Sequence, residues 1–131
     1  MSMWCLPGVF VLLSLSACGG KSIGSTGNEV ASAVDGASAF AMCANCHTNK
    51  AGAPNRIGPN LYGVVGRKAG ESTGFAYSSA LRDSGIVWDE QSLDAYLSAP
   101  TKRVPGTKMT YSTTDAAKRH ALIQYLSATA P

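Results

Sequence analysis

The sequence predicts an all-α domain of four or five helices joined by long loops. Apolar residues recur at helical spacing in separate segments, strand-type alternation is weak, and the helical segments are parted by a long stretch rich in Gly and Pro. At 131 residues the chain has room for one domain plus a leader and a tether. A globular part of about 100 residues buries only a small core.

The first element is a leader, assigned to residues 1–17. Trp4 to Ala17 is mostly apolar but too short for a spanning helix, which takes about 20 residues, so it reads as the hydrophobic region of a signal peptide. Its end, Leu15-Ser16-Ala17-Cys18-Gly19, resembles a bacterial lipobox, which implies cleavage before Cys18 and lipidation of that cysteine. An ordinary signal peptide cut nearby, or a leader left in place, is the alternative. No Lys or Arg precedes the apolar run, a departure from such leaders. Residues 18–34 then form a lipidated Cys and a flexible linker rich in Gly, Ser, Ala and Thr, with an r.m.s. reach of about 20–25 Å.

The globular domain is assigned to residues 35–131. Asp35 opens a helical pattern in which Phe40, Cys43, Ala44 and His47 share a face. From Thr48 to Gly74 the chain carries Gly52, Pro54, Gly58, Pro59, Gly63, Gly66 and Gly70 and no long periodic segment. A loop this long counts against a compact domain unless it wraps a large prosthetic group. Tyr77 to Ser84 predicts a short helix stopped by Gly85. Asp89 predicts the N-cap of the next, with Glu90 in its first turn, Leu93, Tyr96 and Leu97 on its apolar face, and Ala99-Pro100 at its end. Thr101 to Tyr111 reads as loop. Thr113 or Thr114 caps the last helix, whose stripe is Ala117, Ala121, Leu122, Tyr125 and Ala128.

The four cysteines, Cys5, Cys18, Cys43 and Cys46, do not form an obvious disulfide framework, because two lie in or at the end of the leader. Cys43-Ala44-Asn45-Cys46-His47 has the C-x-x-C-H spacing of covalent c-type haem attachment. Cysteines three apart on a helix share a face, so both thiols can add to the haem vinyl groups while His47 presents its imidazole to the iron. Three rivals stand beside this reading. A thioredoxin-type pair needs a βαβ setting, a structural zinc site needs about four ligands where only His120 remains to help, and a plain disulfide leaves the glycine-rich loop unexplained. A second axial ligand comes by elimination. Met42 adjoins Cys43 and is confined to the proximal side, whereas Met109 lies in the loop Pro105-Gly106-Thr107-Lys108-Met109 and can close over the other face. His/Met ligation raises the reduction potential. His120 sits at the edge of the last helix's apolar stripe and reads as solvated.

Taken in order, these segments resemble the mitochondrial and bacterial cytochrome c family from about Asp35 to Ala128. The resemblance is carried by Gly36, Phe40, the haem motif, Gly58-Pro59-Asn60-Leu61-Tyr62-Gly63, Gly66-Arg67-Lys68 and Gly74-Phe75-Ala76-Tyr77. It continues through Gly85-Ile86-Val87-Trp88, Tyr96-Leu97 with Pro100, the Pro105 to Met109 loop and Leu122-Ile123-Gln124-Tyr125-Leu126. It implies the cytochrome c fold and one covalent haem c. It further implies that the Pro59 carbonyl orients His47, that Tyr96 donates to the Met109 sulfur, and that Arg67, Tyr77, Trp88 and Thr107 surround the haem propionates. Gly36, Phe40 and Tyr125 would meet where the first and last helices cross. The chain departs from the family at Leu81, where a polar Asn is common, at Tyr111, where a Phe is common, and in a basic ring thinned to Lys50, Lys68, Lys102, Arg103 and Lys108.

The implied activity is single-electron transfer without enzymatic turnover, on the periplasmic side of a bacterial membrane, either lipid-anchored or soluble. The expected partners are redox proteins such as a quinol–cytochrome c reductase and a terminal oxidase, with the chain itself a monomer. A haem subunit accessory to a dehydrogenase or peroxidase is the alternative. A net charge of +3, dispersed along the chain and offset by about two propionate charges, argues against nucleic-acid binding and allows only modest steering.

Overall fold

The computed structural model describes residues 34–129. The leader, Cys18 and the linker up to residue 33 lie outside the described residues. Among the described residues, five short α-helices and one 3₁₀ turn follow in chain order: α1 (Gly36–Phe40), the 3₁₀ turn (Cys43–Asn45), α2 (Ser79–Arg82), α3 (Glu90–Ser98), α4 (Pro100–Arg103) and α5 (Ala116–Ala128). Among the described residues the only strand-type pairing is an isolated bridge between Lys68 and Val87. The architecture is all-α with long loops.

Local chemistry explains most of the helix ends. Asp35 caps α1 by accepting from the Ser38 backbone N–H at 3.0 Å. The helical pattern that the sequence continues to His47 is not one helix. It breaks after Phe40 and resumes as a 3₁₀ turn through the first cysteine. At α3, Asp89 and Ser92 cap each other's backbone N–H groups in a capping box, with Glu90 in the first turn as expected. Pro100 ends α3 but also starts α4, a turn that sequence reading left as loop; its missing N–H is no loss at a first helical position. The cap of α5 is Asp115, rather than Thr113 or Thr114, and accepts from the Lys118 N–H at 3.1 Å. Thr113 is instead buried, its N–H donating to the Leu97 carbonyl at 2.9 Å.

The helices pack as α1 on α5, α3 on α5 and α3 on α4. A Cβ at Gly36 would sit 2.6 Å from Tyr125 Cβ and 2.9 Å from the Ala121 carbonyl, so only glycine lets α1 approach α5 this closely. Phe40 and Tyr125 stack there with ring centroids 5.5 Å apart. On the other side of α5, Arg119 pairs with Asp94 of α3 at 2.6 Å and also donates to the Thr113 and Thr114 carbonyls. The buried face of α5 is Leu122, Ile123 and Leu126, turned from the predicted stripe so that Ala117 and Ala128 are exposed. Phe40, Trp88, Leu93, Tyr96, Leu97 and the α5 residues belong to a single buried cluster. The long loop folds onto α2 through Gly70, whose φ of 85° and 2.9 Å approach of a would-be Cβ to Arg82 Cα both exclude a side chain.

Candidate haem site

The 3₁₀ turn sets the positions of the two thiols. With three residues per turn, Cys43 and Cys46 fall above one another on one side. Both are free thiols, partly buried, and Cys43 packs against the core cluster. Burial pushes the Cys43 thiol up from its ordinary value, and the charge of Lys118 opposes this only in part. The thiol is therefore held in its neutral form. No disulfide joins the pair, and among the described residues no group of three His, Cys, Asp or Glu side chains comes together as a metal-binding cluster. His120 is exposed on α5.

His47 follows the turn and is fixed from two sides. Its Nδ1 lies 2.8 Å from the Pro59 carbonyl oxygen, which can only accept, so Nδ1 carries the proton and Nε2 keeps its lone pair. Burial pushes the imidazole down from its ordinary value, with the Pro59 hydrogen bond acting in the other direction. Neutral imidazole is the form that ligates a metal. Gly58, buried beside Pro59, has no room for a side chain: a Cβ would overlap the imidazole ring, 2.6 Å from Nδ1 and 2.8 Å from Nε2. The ring is thus cradled against bare backbone.

That backbone is held by side chains in bracing roles that the sequence did not reveal. Asn60 donates to the carbonyls of Lys50 (2.8 Å) and Ala53 (2.9 Å) and accepts from the Tyr62 N–H (2.9 Å). Asn55 accepts from the Asn60 N–H at 2.8 Å and donates to the Thr73 carbonyl at 3.0 Å. Asparagines set among Gly and Pro are the signal for such side-chain-built turns. Arg67 donates to the carbonyls of Asn60 (3.0 Å) and Tyr62 (3.1 Å), so its guanidinium braces the same segment.

A second group gathers around Met109, which is partly buried against the core. The Tyr96 hydroxyl lies 2.6 Å from Thr107 Oγ1, and the Met109 N–H donates to that same oxygen at 3.4 Å. The family resemblance implied donation from Tyr96 to the Met109 sulfur. The hydrogen bond observed is with Thr107, two residues earlier on the loop, and it fixes the backbone that carries Met109. Burial pushes the Tyr96 phenol up, so it stays protonated. Trp88 packs against Tyr96 in a tilted pair with centroids 5.0 Å apart, and Tyr77 meets Phe75 edge-on at 4.8 Å. Met42 is 52% exposed and belongs to neither group.

Two free thiols on one side of a turn, an imidazole with a free Nε2 and a glycine cradle against its ring suit a covalent haem. The sequence model of the family described as Cytochrome c matches residues 33–130. The chain belongs to the cytochrome c family. It is 48% identical over 93 residues to cytochrome c2 of Rhodoblastus acidophilus, covering 70% of this chain and 87% of that one. It is 44% identical over 102 residues to cytochrome c of Cochliobolus lunatus, covering 76% and 94%. Among solved structures, cytochrome cH from Methylobacterium extorquens superposes with a TM-score of 0.68 at 45% identity, covering 73% of this chain and 97% of that chain. As a cytochrome c, the chain binds one covalent c-type haem and is an electron carrier that exchanges electrons with redox partners, not an enzyme. Cys43 and Cys46 stand at the spacing its attachment requires.

Proposed function

We propose that this cytochrome c carries single electrons between membrane-bound respiratory complexes, from a quinol-oxidising complex to a terminal oxidase, outside the bacterial cytoplasm. In this reading His47 Nε2 and the Met109 sulfur would hold the iron, and Cys43 and Cys46 would hold the haem through thioethers. Arg67, Tyr77, Trp88 and Thr107 would surround the propionates, and a lipid on Cys18 would tether the chain to the membrane. The haem, when bound, supplies a one-electron change of iron valence. The chain's own residues do the rest. Pro59 keeps the His47 proton on Nδ1, Gly58 lets the ring sit flush, and the Tyr96–Thr107 pair holds the loop that presents Met109. A soft neutral sulfur and a neutral imidazole as ligands would favour ferrous iron and raise the potential.

The observation that carries this reading is the His47–Pro59 hydrogen bond at 2.8 Å, which leaves one ring nitrogen unprotonated beside the two thiols. The experiment is the absorption spectrum of the oxidised holoprotein and of Met109→Ala. The wild type is expected to show the sulfur-to-iron charge-transfer band at the red end and to exclude carbon monoxide. Met109→Ala is expected to lose the band, bind carbon monoxide and fall in potential. A wild-type spectrum in the variant would reject Met109 as ligand.

A further inference from the structure

Arg119 of α5 is nearly enclosed, with 11% of its side chain exposed, and each nitrogen of its guanidinium has a partner. Nε and one terminal nitrogen donate to the two carboxylate oxygens of Asp94 at 2.6 and 3.4 Å. The other terminal nitrogen donates to the carbonyls of Thr113 (3.1 Å) and Thr114 (2.9 Å). Asp94 lies on α3, two residues before Tyr96. The guanidinium therefore joins α3, α5 and the end of the segment that carries Met109. That segment is pinned to α3 on both flanks. Tyr96 meets Thr107 at 2.6 Å on the near side, and the Thr113 N–H donates to the Leu97 carbonyl at 2.9 Å on the far side. Between the pins, Thr110, Tyr111 and Ser112 are exposed and make no backbone hydrogen bond among the described residues.

A side chain on a segment fixed only at its flanks is released when one flank lets go. The near pin is a single pair of hydroxyls. The far pin adds a charged fork to one backbone hydrogen bond, and charge-assisted bonds are about twice as strong as neutral ones. Only a planar guanidinium can grip a carboxylate and two carbonyls at once; an ammonium has no such fork. We infer that Arg119, oriented by Asp94, is a positioning residue for Met109. It shuts the far end of the loop, and so sets how readily an outside ligand takes the place of the Met109 sulfur. The inference rests on Met109 being the second axial ligand, as proposed above. A closed loop serves a carrier because it keeps small molecules from the iron while electrons pass.

The test uses the full-length ferric holoprotein, with imidazole as the probe and loss of the sulfur-to-iron charge-transfer band as the signal. The apparent affinity for imidazole scales with the fraction of molecules whose loop is open. Arg119→Met is expected to bind imidazole about tenfold more tightly than the wild type, the scale of one lost charge-assisted hydrogen bond. Arg119→Lys, which keeps the charge without the fork, should fall between the two. Asp94→Asn should show a smaller gain, because that carboxylate is 48% exposed and screened by solvent. Combining Asp94→Asn with Arg119→Met should add nothing to Arg119→Met alone, since Asp94 acts through the guanidinium. Gly36→Ala serves as the control: it strains the other side of α5 without touching the loop, and should lower the guanidinium midpoint while leaving imidazole affinity at the wild-type value. Wild-type affinity in both Arg119→Met and Asp94→Asn would overturn the inference and leave Met109 as ligand. So would a gain that Gly36→Ala reproduces at an equal loss of stability, because the role would then be general packing. A wild type that lacks the band, or a Met109→Ala variant that binds imidazole no more tightly than the wild type, would overturn the ligand reading and this inference together.

Discussion

His47 is held by two neighbours that act in different ways. Pro59 attracts one ring nitrogen, and Gly58 yields the space the ring occupies. The second effect gives a sharp expectation. Gly58→Ala places a methyl group inside van der Waals contact with the imidazole, so ring or loop must move. The cost should be about 1–3 kcal/mol, as for other overpacked sites, together with a disturbed haem spectrum. Guanidinium melts and absorption spectra of the holoprotein check it, and an unchanged midpoint with an unchanged spectrum would contradict the cradle. The haem motif was legible in the sequence because its chemistry lies within five consecutive residues. Asn55, Asn60 and Arg56 were not, because their partners are carbonyls up to eighteen residues away, set by the loop path. The same reason hid the pairing of Tyr96 with Thr107.

Among the elements, the approach of α1 to α5 has the least slack. Gly36→Ala should destabilise the holoprotein by about 1–3 kcal/mol, since a Cβ there meets the β-carbon of Tyr125 and a backbone carbonyl rather than a movable side-chain tip. Thermal unfolding followed by circular dichroism measures it. The helix caps give a pH dependence with a definite direction. Hydrogen bonds from Ser38 hold the Asp35 carboxyl below its ordinary value of 3.8, and those from Ser92 do the same at Asp89. Their contribution is therefore complete above about pH 4 and is lost as pH falls through the lowered folded-state values. Melting midpoints at pH 5 and pH 3 should differ less in Asp35→Asn/Asp89→Asn than in the wild type. An equal fall in both would assign the acid sensitivity elsewhere. Asp89 was readable as a cap because a strong helix pattern follows it directly. At α5 three candidates stand in a row, Thr113, Thr114 and Asp115, and burial of Thr113 under α3 removes one by a contact that no local pattern records. The break between α1 and the 3₁₀ turn was equally hidden, since both windings bring residues three apart to the same side.

For the whole molecule, a small core and a small charge define how it works with others. The cluster of buried residues draws on α1, α2, α3 and α5 and on Val64, Ala69, Ile86, Trp88 and Val104 between helices. A net charge of +3 gives weak long-range steering, so the proposed residence near a membrane calls for another source. The proposed tether supplies one by raising local concentration. Cys18→Ser is accordingly expected to move the holoprotein from the membrane pellet to the soluble fraction, with its spectrum unchanged. Retention in the pellet would refute lipid anchoring at this residue.

The packing of α1 against α5 also sets the timing of maturation. Partners separated by about 80 residues cannot meet until nearly the entire polypeptide is available. During synthesis the early segment bearing Cys43 and Cys46 therefore waits unclosed for its late partner. That delay leaves both thiols within reach of whatever machinery installs the prosthetic group, before folding shuts the door on them.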